Sequence, residues 1–181
     1  MKVFFDTEFT GLHKDTTLIS IGLVAEDGKT FYAELTDYDK SQCDDWIVEH
    51  VINNLQYPGG VVTVTDEAKT IIVGDKEQVR ERLEGWFKQF DSVTLVSDVC
   101  HYDMVLLIDI FGHAFKLPRC VNAACHDINQ DIAKYYGISE ADAFDKSREE
   151  ILAEHEKSVS GAKHNSLYDA KVIMGIYQII Q

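Results

Sequence analysis

The sequence predicts an α/β protein: one mixed β-sheet with α-helices around it, in a single domain over residues 1–181. Three observations point there. Strand patterns come first, as a meander, and a strand and helices then alternate. The 181 residues are 45% hydrophobic and 27% charged, ordinary globular usage that argues against a disordered chain. That length suits one compact domain with its own core, and no repeat, low-complexity tract or linker divides it.

Val3-Phe4-Phe5 is a short apolar run, read as a strand ending at Asp6 or Glu8, and Thr10-Gly11 breaks it. Leu18 to Ala25 is a second strand. Asp27-Gly28 is a two-residue hairpin signal, and Thr30 to Glu34 returns as the third strand. Asp44 to Val51 reads as a short helix and Pro58-Gly59-Gly60 as a turn. Val61 to Thr65 is β-prone, either an exposed loop or a peripheral hairpin. Asp75 with Gln78 has capping-box form. It opens a helix in which Val79, Leu83, Trp86, Phe87 and Phe90 keep helical spacing. Val93 to Ser97 is a strand, Asp103 to Phe111 a helix stopped by Gly112, and Pro118 to Val121 an extended segment. Ile128 to Tyr136 is a helix ended by Gly137. Ser147 and Glu150 form another capping box, heading a charged helix that runs to the region of Lys157. After a loop over Ser158 to Lys163, the last helix begins at Asn165 or Ser166 and runs close to Gln181.

The 17 Lys+Arg stand against 31 Asp+Glu, a net charge of −14. That argues against non-specific nucleic-acid binding, which cations drive by neutralising phosphates. It is compatible with a nucleic-acid enzyme whose carboxylates are offset by divalent cations, and equally with a solvated acidic surface. No apolar run approaches the ~20 residues that span a bilayer, and Asp6 interrupts the N-terminus before a signal-peptide core forms. Four cysteines (Cys43, Cys100, Cys120, Cys125) are too few for a disulfide scaffold. The expectation is a soluble protein of the reducing cytoplasm, with no membrane partner.

Asp6-Thr7-Glu8 continues the first strand, where a period of two puts both acids on one face with Phe4. Two such acids repel, and a bridging cation removes that cost. Asp103 heads a helix whose inward stripe includes Leu106, Leu107 and Ile110. An acid there is paired, metal-bound or stabilised by the helix N-terminus. Asp169 heads a similar stripe of Ile173, Ile176, Tyr177 and Ile180, and His164 precedes it in the loop or cap. Each piece arises easily by chance: Asp75-Lys76-Glu77 also matches Asp-x-Glu, and His126 with Asp131 repeats the His-x4-Asp spacing. The order of the pieces along the chain is the stronger signal.

In that order, Phe5-Asp6-Thr7-Glu8-Phe9-Thr10-Gly11-Leu12 resembles the first motif of the DEDD exonucleases. Tyr102-Asp103 resembles the second motif. His164-Asn165-Ser166-Leu167-Tyr168-Asp169-Ala170 resembles the third motif of the subclass with a histidine base. With Ser20-Ile21-Gly22-Leu23-Val24-Ala25-Glu26-Asp27-Gly28, the chain looks closest to small mycobacterial and phage-type 3′–5′ exoribonucleases. The segments span the chain, so the resemblance implies an RNase H-like fold throughout. It implies that Asp6, Glu8, Asp103 and Asp169 hold two Mg²⁺ or Mn²⁺ ions, hard cations suited to oxygen ligands, which clamp the attacking and leaving oxygens of the phosphate. It makes His164, with an ordinary pKa of ~6.5, the base that takes a proton from the attacking water. The product is a nucleoside 5′-monophosphate released from a 3′ end. Thr10, Gly11 and Leu12 are then contacts to the terminal nucleotide. A preference for RNA 3′ ends and a homodimer follow from likeness to relatives alone.

The second motif departs from its relatives, which often carry His-Asn-Ala-x-Phe-Asp. Here Asp98-Val99-Cys100-His101-Tyr102-Asp103 puts Val99 in place of the asparagine and makes Asp98 a rival ligand nearer the strand end. Cys120-x4-Cys125-His126 lacks the spacing of a structural zinc site, and Cys100-His101 point apart if adjacent on a strand or loop. Trp46, Trp86, Phe87 and Tyr102 are expected in the core. Most of Arg119, Arg148, Lys157, Lys163 and Lys171 are expected to be solvated, with Lys163 best placed beside His164. Tyr38 to Gly74 reads as an elaboration without a chemical role. Two rivals stay open: a DNA-directed exonuclease of the same class, and a non-catalytic acidic module that mimics DNA. The mimic predicts acids spread over the surface.

Overall fold

The computed structural model describes residues 1–60 and 62–181, so of the β-prone stretch Val61 to Thr65, Val61 lies outside the described residues. β1 (Lys2–Phe9), β2 (Leu18–Ala25) and β3 (Thr30–Leu35) form the expected antiparallel meander. β4 (Thr63–Thr65) is a short antiparallel edge on β5 (Lys69–Gly74), which runs parallel to β3. β6 (Val93–Ser97) and β7 (Val121–Asp127) add parallel strands beyond β1. The result is one mixed sheet in the order β4-β5-β3-β2-β1-β6-β7. The helices are α1 (Asp45–His50), α2 (Lys76–Phe87), α3 (His101–Ile110), α4 (Ile128–Tyr136), α5 (Glu140–Asp145), α6 (Arg148–Glu154) and α7 (Ser166–Ile180). None of them is long and apolar enough to cross a membrane.

The pleat of β1 divides the core. Val3 and Phe5 join Leu83, Trp86 and Leu107 on the side of α2 and α3. Phe4 points the other way and meets Val24, Val96, Ile128, Ile173 and Ile176, on the side of α4 and α7. By the period of two, Asp6 and Glu8 continue the row of Phe4 and so face α7.

Helix α7 approaches the sheet closely because Asp6 pairs with Gly22 on β2. A Cβ on Gly22 would lie 2.3 Å from the backbone nitrogen of Leu167. Glycine therefore lets the first turn of α7 rest on the strand. The buried hydroxyls of Ser20 and Ser166 bond across the same junction at 2.9 Å. Asn165 caps α7 by accepting from the Tyr168 N–H, a contribution of about 1 kcal/mol.

Several expectations are corrected. Pro118 to Cys120 form a turn, and the strand starts at Val121. Its exposed Asn122-Ala123-Ala124 break any apolar alternation. The charged helix stops at Glu154, short of Lys157, where Glu156 adopts φ +55°. Trp46 is 51% exposed rather than core. Strand β5 and helix α5 were not expected.

Candidate active site

β1 and α7 bring carboxylate oxygens of Asp6, Glu8 and Asp169 within 4.8 Å of one another. All three line a cavity of about 550 Å³, together with Asp98, Glu149, Lys163 and His164. Burial and mutual repulsion disfavour their charged forms. Asp6 is held well above the usual carboxylate range by burial, then by the charges of Asp103, Glu8 and Asp169. Glu8 is pushed up to about 8 by burial, with Asp169 and Asp103 adding to it. Asp169 is pushed to about 7 by burial, against hydrogen bonds from the backbone of His164 and Asn165. An all-oxygen, self-repelling donor set, with Glu8 buried and Asp6 and Asp169 half-buried, fits a hard divalent cation.

Asp103 is buried, 5% exposed, and stands outside that trio. Its Oδ1 accepts from the Thr7 N–H at 3.2 Å and from the Thr7 hydroxyl at 2.5 Å, and its Oδ2 accepts from the Ser97 hydroxyl. Burial raises its pKa to about 6, while the bonds from Ser97 and Thr7 restrain that rise.

Asp98, the rival ligand, is committed to Arg148. The guanidinium donates from Nε to Oδ2 at 2.6 Å and from Nη2 to Oδ1 at 2.9 Å. Arg148 also donates to Asn129 Oδ1 and to the carbonyls of Ala143 and Lys146. Of the cations mostly expected to be solvated, Arg148 is therefore not one: it fastens α6 to the end of β6. Val99 beside it has φ +56°, a conformation that strains a β-branched residue and suits asparagine. The departure from relatives at this position therefore carries backbone strain.

His164 enters the cavity with φ +62°. The Trp46 ring stands edge-on to it at 5.2 Å, and the His50 ring lies 6.3 Å away. Burial, then the charges of Lys163 and His50, lower the His164 pKa below 6.5 and favour the neutral imidazole. Trp46 and His50 stack on each other at 4.7 Å. Helix α1 thus walls the site, although its segment was expected to have no chemical role. The available signal was a tryptophan four residues before a histidine on a short helical segment.

A second cavity of about 340 Å³ adjoins Glu8, lined by Phe9, Gly11, Leu12, Trp46, Ile47 and Val51 among others. Leu12 is 81% exposed at its edge. Thr10 is buried beneath, and its hydroxyl donates to Gln42 Oε1 at 2.5 Å. His126 and Asp131 pair at 2.6 Å, but neither lines the acid cavity. The four cysteines are free.

The chain matches, over residues 1–181, the family described as the 3′-5′ exoribonuclease Rv2179c-like domain. The 3′-5′ exoribonuclease Rv2179c of Mycobacterium tuberculosis (strain H37Rv) is 32% identical over 132 residues, which are 72% of this chain and 73% of that protein. Among solved structures, the nuclease domain of 3′hExo, a DEDDh family member bound to rAMP, has a TM-score of 0.67 at 15% identity, covering 97% of this chain and 88% of that one. S. pombe Pop2p in a Mg²⁺- and Mn²⁺-bound form has a TM-score of 0.63 at 17% identity, covering 98% and 82%. At such identities the two structures are similar to this chain in fold.

Proposed function

The chain belongs to the 3′-5′ exoribonuclease Rv2179c-like domain family, and on that premise we propose that residues 1–181 act as one domain that trims RNA from its 3′ end at the Asp6–Glu8–Asp169 cluster. The observation that carries this reading is the meeting of those three carboxylates in one cavity with His164. A DNA mimic has no use for acids drawn into one cavity where they repel one another.

Asp6, Glu8 and Asp169, with Asp103 behind them, would hold two divalent ions, Mg²⁺ or Mn²⁺. When bound, such ions neutralise the scissile phosphate and the leaving oxygen. The protein supplies the rest. His164, kept neutral by burial and by Lys163 and His50, accepts the proton of the attacking water. The water oxygen bonds to phosphorus, the bond from phosphorus to the 3′-oxygen of the shortened strand breaks, and a nucleoside 5′-monophosphate leaves. Gly11 and Leu12 receive the terminal nucleoside in the apolar cavity beside Glu8, which Trp46 also lines, with Thr10 holding their loop. A cytoplasmic setting and a homodimer belong to the same proposal. Free thiols support the first, and family likeness alone supports the second.

Turnover of matched RNA and DNA oligonucleotides with Mg²⁺ or Mn²⁺ tests the reading. RNA should shorten stepwise from its 3′ end with release of 5′-monophosphates. Equal or DNA-favoured trimming removes the RNA claim. Calorimetric Mn²⁺ titration that is unchanged in Asp6→Ala removes the site.

A further inference from the structure

Resting on the reading of His164 as the base, we propose that Asn54 is a positioning residue, which with the buried chain Glu34–Tyr32–Asn165 sets the His164 imidazole for proton abstraction.

Asn54 Nδ2 donates to the His50 carbonyl at 2.5 Å and to the Lys163 carbonyl at 3.0 Å. Both acceptors are carbonyls, so the amide nitrogen must face them. The Asn54 carbonyl in turn accepts from Asn165 Nδ2 at 3.1 Å. One residue therefore grips the positions on either side of His164, where the backbone turns left-handed. A non-glycine residue stays in that conformation where its surroundings over-determine it.

The grip is anchored in the sheet. Asn165 Nδ2 also donates to the Tyr32 hydroxyl at 3.2 Å, which donates to Glu34 Oε1 at 2.8 Å. The same carboxylate oxygen accepts the N–H groups of Gln56 at 2.7 Å and Tyr57 at 3.0 Å. Glu34 is 3% exposed and Asn165 is 5% exposed. Capping α7 needs only the separate bond from the Tyr168 N–H to Asn165 Oδ1. The others tie Asn165 and Glu34 to the segment after α1, from which the Asn54 side chain reaches the Lys163 carbonyl. Trp46, His50 and Asn54 follow at intervals of four, so one short stretch holds the ring of His164 with its aromatics and the flanking backbone with its amide.

A double-mutant cycle decides the matter. Asn54→Ala should lower kcat on an RNA oligonucleotide by about 10–100-fold, the scale of a small misplacement of a reacting group. KM and calorimetric Mn²⁺ affinity should stay near wild type. Asn54→Asp, isosteric but unable to donate to two carbonyls, should fall with alanine. In the His164→Ala background, Asn54→Ala should cost less than about twofold. An equal loss in both backgrounds, or wild-type kcat in Asn54→Ala, overturns the proposal while leaving His164 as the base. Full activity in His164→Ala overturns the base reading itself. Should Asn54→Ala lose its circular dichroism, Tyr32→Phe, which removes one hydroxyl from the chain, supplies the same cycle with the same criteria.

Discussion

Among the described non-glycine residues with left-handed backbone, two border the acid cavity, and they are held in different ways. Val99 lies between β6 and α3, and His164 lies before α7. Around Val99 one neighbour is fastened by a side chain: Arg148 clamps Asp98, while Cys100 at the start of α3 makes no side-chain cap bond. Around His164 both neighbours are fastened, because Asn54 bonds the residues on either side. Val99 lines the cavity with an aliphatic residue, whereas His164 brings an imidazole, the base of the proposed reaction. The fold tolerates strain at one edge of the site and enforces it at the other.

The largest break in this comparison removes what both regions surround. Asp6→Ala and Asp169→Ala should each lower turnover by about 10³-fold and abolish the heat of Mn²⁺ binding. Next, His164→Ala should lower kcat by about 10²–10⁴-fold with Mn²⁺ binding retained, while Val99→Ala stays within about twofold of wild type in a steady-state assay. Gly22→Ala should push α7, and His164 with it, off β2, at a cost of about 1–3 kcal/mol in urea unfolding.

The acids give a pH signature. The folded pKa values of Glu8, Asp169 and Asp103, about 8, 7 and 6, exceed the ~4 of unfolded carboxylates. The metal-free folded state therefore binds more protons than the unfolded chain across that range. Its stability from these groups is fullest below pH ~4 and is lost as pH rises through ~6–8. Calorimetric Tm without metal should fall between pH 5 and pH 8, and Mn²⁺ should restore it at the upper end. The smallest effect sharpens the contrast directly: Val99→Asn should gain about 1 kcal/mol in the same unfolding assay by relieving strain, with kcat unchanged.

Legibility in the sequence followed locality. β1 to β3, α2 and α7 announce themselves through apolar period and caps, and the acids with His164 through their order along the chain. What stayed hidden depends on distant partners. Asp103 is oriented by Thr7, 96 residues away in sequence, and Arg148 finds Asp98 across 50 residues. No local pattern records such pairings. Strand β7 is hidden by its exposed small residues, and α1 reads as an ordinary short helix until Trp46 and His50 are seen against His164.

The two tryptophans divide the labour of an optical probe. Trp86 is sealed in the core at 4% exposure, and Trp46 stands at the rim beside the imidazoles. Emission from the first is a steady background, so any quench or wavelength shift on adding a mononucleotide reports from the second. The molecule carries a label-free reporter in the apolar cavity beside Glu8, where the proposed terminal nucleoside would sit.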